Sequence, residues 1–71
     1  MKERIRQLIE EALPLVDVDS DFLFSELDSL GVTHIMMLLS QEYNIEVEAS
    51  DVTPKNFKSL DSLVKMVESK L

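Results

Sequence analysis

Residues 27 to 43 read Leu27-Asp28-Ser29-Leu30-Gly31-Val32-Thr33-His34-Ile35-Met36-Met37-Leu38-Leu39-Ser40-Gln41-Glu42-Tyr43, and the periodicity of this stretch decides the architecture. Wound at about 100° per residue, it gathers Val32, Ile35, Leu38, Leu39 and Tyr43 on one side of a helix. Ser29, Leu30, Thr33, His34, Met37, Ser40 and Gln41 fall within an arc of about 140° on the other. The first set is expected to face a core and the second to stay open; Met36 leans inward and Met37 outward. Asn44 is a suitable stop, because it tolerates the left-handed geometry in which many helices end.

Such a stripe needs neighbours to cover it, and the flanking sequence supplies two. Ile5, Leu8, Ile9, Ala12 and Leu13 repeat at helical spacing, so a helix is expected from Lys2 to Leu13, where Pro14 disfavours helical geometry at the preceding residue. Towards the C-terminus, Leu60, Leu63, Val64, Val67 and Leu71 form the stripe of a last helix over Leu60 to Lys70, with Ser59 as its cap. Leu15 to Asp28 is a long connection, and its Phe22, Leu23 and Phe24 must pack down on a core. Ile45-Glu46-Val47 is too short to pair as a strand and reads as an extended connector pinning Ile45 or Val47. Thr53-Pro54 is a cap-then-proline signal that places a short third helix between Ala49 and Phe57.

The expected fold is all-α: a small four-helix bundle of three main helices and a short third one, with a long loop between the first two. Only one Gly and two Pro, 45% hydrophobic residues, and three Phe plus one Tyr as the aromatics agree with that class. Residues 1–71 read as one domain, burying about 60 to 65% of the surface that the unfolded chain exposes.

Charge narrows the function classes. The formal net charge is −7, and no Lys or Arg occurs between Arg6 and Lys55, a span holding eleven acids (Glu10, Glu11, Asp17, Asp19, Asp21, Glu26, Asp28, Glu42, Glu46, Glu48, Asp51). Such a field disfavours nucleic acid and anionic membrane and favours a basic protein surface. With no cysteine there is no disulfide, thiolate metal site or cysteine nucleophile. No stretch is long enough to span a bilayer, and a cytoplasmic monomer is expected.

The tetrapeptide Leu-Asp-Ser-Leu occurs twice, at Leu27–Leu30 and Leu60–Leu63. Ser29 falls on the open side at a helix start, where free backbone N–H groups and a partial positive charge suit an attached phosphate. Ser62 falls inside the first turn of a helix that Ser59 already caps. Leu60 and Leu63 belong to the core stripe, and Asp61 complements the helix dipole. The second copy is expected to be structural only.

Asp28-Ser29-Leu30 in this register resembles the acyl carrier proteins. The likeness extends to the helix bearing Ile35, Leu39, Glu42 and Tyr43, the connector Ile45-Glu46-Val47, and the closing helix after Val52-Thr53-Pro54-Lys55-Asn56-Phe57. It covers nearly the whole chain and implies a carrier and no catalyst. A phosphopantetheinyl transferase would move 4′-phosphopantetheine from coenzyme A to the Ser29 hydroxyl, beside Asp28, with a magnesium ion held largely by the transferase and coenzyme A. The arm's thiol would then hold acyl or aminoacyl groups as thioesters for acyl-loading and acyl-processing enzymes. Leu30, Thr33 and Met37 would form the docking surface, joined by His34, Ser40 and Gln41.

The chain departs from that family at three places. Glu26 stands where many carriers have Gly, and Gly31 follows Leu30 where an acid is common and is expected to loosen the first turn of the helix. His34, Ser40 and Gln41 replace acids that grip basic partners, which points away from general fatty-acid synthesis and towards a dedicated polyketide, peptide or D-alanine pathway. Two rival readings remain. Asp17, Asp19 and Asp21 match the first positions of a calcium loop, although Phe22 stands where a sharp-turning Gly is required. A helical adaptor that never carries a prosthetic group would also suit the acidic surface. A Ser29–His34 hydrolase is disfavoured, because five helical residues turn the two side chains about 140° apart.

Overall fold

The computed structural model describes all of residues 1–71. Four α-helices follow one another: α1 Lys2–Ala12, α2 Leu23–Glu26, α3 Ser29–Tyr43 and α4 Leu60–Lys70, with one 3-10 turn at Ala49–Asp51. There is no strand, as the all-α expectation requires. None of the helices is long and apolar enough to cross a membrane.

The amphipathic stripes build the core. α1 packs against both α3 and α4, bringing fully buried Ile5 and Ile9 against Ile35 and Leu39 of α3 and Leu63 and Val67 of α4 in a single apolar cluster. The buried strip of α3 is narrower than the helical wheel suggests. Only Gly31, Ile35 and Leu39 are buried, while Val32, Leu38 and Tyr43 are half-buried at its margins. On α4, Met66 is buried where Leu71 was expected; Leu71 lies past the helix end and is 69% exposed. α3 closes as anticipated at Asn44, whose φ of 52° makes it left-handed.

The long connection packs down only in part. Val18 and Leu23 are buried, and Leu23 N–H donates to the Lys58 carbonyl at 2.7 Å. Phe24 meets Phe57 edge-on, with ring centroids 6.3 Å apart at 70°. Leu15 and Phe22, however, are 98% and 70% exposed, so the expectation that this loop buries its apolar residues fails for two of them. The sequence reading also missed α2. That single turn ends at Glu26, which therefore has ordinary helical geometry; Asn44 is the only residue with positive φ. Glu26 in the usual Gly position costs no backbone strain here.

The third helix reduces to the 3-10 turn. Glu48 N–H donates to Asp51 Oδ2 at 2.8 Å, and Lys70 Nζ reaches the same carboxylate at 2.8 Å. Thr53 does act as a cap, accepting from Asn56 N–H at 3.0 Å, but only one turn follows. Phe57 is fully buried and the Lys58 carbonyl is taken by Leu23, and these two anchors draw the chain off a helical path. The connector behaves as read: Val47 is buried and Ile45 half-buried, with Val47 N–H donating to Ser40 Oγ at 3.3 Å.

Candidate functional site

The site begins with a helix cap. Asp28 has extended backbone, and its Oδ1 accepts the Gly31 N–H at 2.7 Å, satisfying one of the amides that a helix start leaves open. Gly31 is buried, and a Cβ there would lie 3.2 Å from Asp28 Oδ1, 3.6 Å from Leu27 and 3.7 Å from Leu13. The glycine thus admits a tight cap and the close approach of the Leu13 side chain.

Ser29 is the first residue of α3 and is exposed. Its carbonyl accepts the Thr33 hydroxyl at 2.9 Å, and the helix start it occupies leaves backbone amides with no intrahelical acceptor and carries the positive end of the helix dipole. That environment favours an attached phosphate over a neutral group. Leu30 and Met37 stand out from the same face, 80% and 53% exposed.

Ser29 also opens onto a cleft of about 490 Å³. Phe24, Leu27, Val32, Met36, Ala49 and Val52 supply its apolar walls; Asp28, Ser29 and Thr33 complete it. A second groove of about 260 Å³ continues along α3 past Thr33 and Met36 to Met37, Ser40, Gln41 and Val47. The cleft walls from α2 and the 3-10 turn were not recognised in the sequence. Phe24 and Leu27, apolar residues inside an acidic loop, were the available signal.

The remaining residues of the open face sort unevenly. Thr33, His34 and Gln41 are exposed as read. Ser40 is only half-buried surface, because its hydroxyl holds Val47 and its carbonyl accepts the amides that close α3. The single acid of α3, Glu42, pairs with Arg4 at 3.0 Å. The Arg4 hydrogen bond holds its carboxyl below the ordinary range. The open side of α3 therefore carries no carboxylate.

The competing constellations do not assemble. Asp17 Oδ1 accepts the Asp19 N–H at 3.1 Å in a local turn, Asp19 pairs with Arg6, and no group of acids or His is placed to hold a metal. The calcium-loop reading through Asp17, Asp19 and Asp21 is thereby corrected. Ser62 is half-buried, its N–H donating to Ser59 Oγ and its hydroxyl 3.3 Å from that same oxygen.

A family model described as phosphopantetheine attachment site matches residues 3–67. No curated protein and no solved structure matches the chain.

Proposed function

The chain belongs to the phosphopantetheine attachment site family, and from that premise we propose that Ser29 takes the arm and that the protein serves as a carrier. The family's cofactor is 4′-phosphopantetheine, held covalently, and it supplies the thiol that this cysteine-free chain lacks. The residues around Ser29 fit such a group. The observation that carries the reading is one exposed serine at a capped helix start, flanked by exposed Leu30 and opening onto an apolar cleft.

Each neighbour has a role in that reading. Asp28 fixes the turn in which Ser29 begins the helix, its Oδ1 holding the Gly31 N–H. In the transfer, the Ser29 oxygen would bond to the pantetheine-side phosphorus of coenzyme A as its proton passes to a base of the transferase, and the pyrophosphate bond would break with 3′,5′-ADP as the leaving group. The helix dipole then stabilises the resulting phosphodiester anion. Leu30, Thr33, His34, Met37 and Gln41, with Ser40 in a lesser part, form the surface on which the transferase and acyl-processing enzymes dock. Exposed Leu and Met make an adaptable apolar contact.

The protein then acts as substrate and carrier for other enzymes, as one 1–71 carrier domain, and not as a catalyst. A dedicated polyketide, peptide or D-alanine pathway is favoured by the absence of a carboxylate on the docking side of α3. Mass spectrometry of the species purified from its native cell identifies the cargo and so tests that pathway.

Incubation with coenzyme A, magnesium and a broad-specificity transferase is expected to add the mass of one phosphopantetheinyl group, and Ser29→Ala to add none. An unmodified wild-type chain under conditions that load a control carrier would establish the adaptor reading instead.

A further inference from the structure

A third opening lies beside the site just described, with Phe24 as the wall between them. Phe22, Phe24, Ser25, Pro54 and Lys58 enclose a notch of about 300 Å³ between α2 and the loop leading into α4. The two sides are stapled together by the Leu23 N–H bond to the Lys58 carbonyl and by the Phe24–Phe57 edge contact. The notch is therefore a formed feature and not a loose gap. Phe22 remains 70% exposed at its rim, and with Phe24 and Pro54 it gives the notch an apolar wall.

Charge indicates what would fill it. Of the seven cations, Lys2, Arg4, Arg6 and Lys70 each lie within 4 Å of a carboxylate. Lys55, Lys58 and Lys65 have no such partner although the chain is strongly acidic. Two of these three border the notch: Lys58 lines it and Lys55 follows Pro54. Both are exposed, and even Asp21, next to Phe22, makes no ion pair with either. Over distances shorter than about 8 to 10 Å, such local charges outweigh the screened field of the distant acids.

We infer that this notch docks a segment of a partner protein that presents an apolar anchor side chain flanked by carboxylates. The anchor packs against Phe22, Phe24 and Pro54, and the carboxylates meet Lys58 and Lys55. Apolar burial supplies the affinity and the charge pairing sets partner choice and encounter rate. The surface carries two lysines where the open face of α3 carries neither lysine nor carboxylate, and docking there requires no arm on Ser29.

Selection of a phage-displayed random heptapeptide library on the full chain tests this. Enriched peptides are expected to combine an aromatic or aliphatic residue with Asp or Glu. A synthetic peptide of the enriched sequence should bind at least about tenfold more weakly to Phe22→Ser and to Lys58→Glu, as a central anchor requires. Lys65→Glu, the same charge change at the third unpaired lysine, should leave binding within about twofold, the scale of a contact outside the interface. Amide chemical shifts of the wild-type protein, which need no variant, should move at Leu23, Ser25 and Lys58. No enrichment, enrichment of basic peptides, equal loss in Lys65→Glu, or shifts confined to α3 would overturn the inference.

Discussion

The two copies of Leu-Asp-Ser-Leu are chemically identical and structurally unrelated. At Leu27–Leu30 the aspartate is the helix cap, so Ser29 opens α3 and Leu30 stands 80% exposed. At Leu60–Leu63 the cap is Ser59, one residue earlier, so Asp61 and Ser62 lie within the first turn of α4. There Leu60 and Leu63 are 3% and 0% exposed, and Asp61 pairs with Lys2 at 2.9 Å. The cap position differs by two residues between the copies, and two helical residues rotate each side chain by about 200°. The tetrapeptide alone does not decide which serine opens a helix; its register relative to the cap does.

The largest expected effect separates the two final leucines. Leu63→Ala should cost about 2 to 5 kcal/mol in urea unfolding, the range for truncating a fully buried Leu. Leu30→Ala should change stability by no more than about 0.5 kcal/mol yet slow modification by the transferase. Equal destabilisation by the two would break the contrast.

Next come the caps. Asp28→Ala and Ser59→Ala should each cost about 0.5 to 2 kcal/mol, but only the first should also lower the rate of modification at Ser29. Asn at position 28, which keeps a capping oxygen, should restore much of the stability and so separate capping from any role of the charge.

The smallest effects are electrostatic. Asp61→Asn should shift stability by at most about 0.5 kcal/mol, as surface substitutions do. For pH the sign follows from the depressed carboxyls: Lys70 holds Asp51 below its ordinary 3.8 and Arg4 holds Glu42 below its ordinary 4.5. Their contribution is complete above those values and is lost as pH falls through the lower folded ones. Thermal midpoints should thus decline in that acidic window, less steeply in Asp51→Asn. Lys70, raised by the same bond, contributes below 10.5 and loses its part above it.

Much of this was legible because helical periodicity is a local property. Ile5 and Ile9, Ile35 and Leu39, and Leu63 and Val67 declare their faces within one or two turns, and Asn44 and Ser59 announce where helices end and start. What stayed hidden depends on contacts between distant segments. Leu23 is drawn into a helical turn beside the Lys58 carbonyl, 35 positions along by their numbers. Phe57 is pulled into the core instead of continuing a helix from Thr53. The cleft beside Ser29 takes walls from α2, α3 and the 3-10 turn together, so no single window of sequence contains it. The packing around Gly31 was hidden for a related reason, since one of its close neighbours, Leu13, comes from the end of α1.

The most direct test is to locate the modification in the wild-type protein by tandem mass spectrometry of its proteolytic fragments after transferase treatment. The expected result is phosphopantetheine on the fragment carrying Leu27–Leu30, bonded to Ser29, with the Leu60–Leu63 fragment unmodified. Label on Ser62, or divided between the two serines, would contradict the view that cap register selects the site.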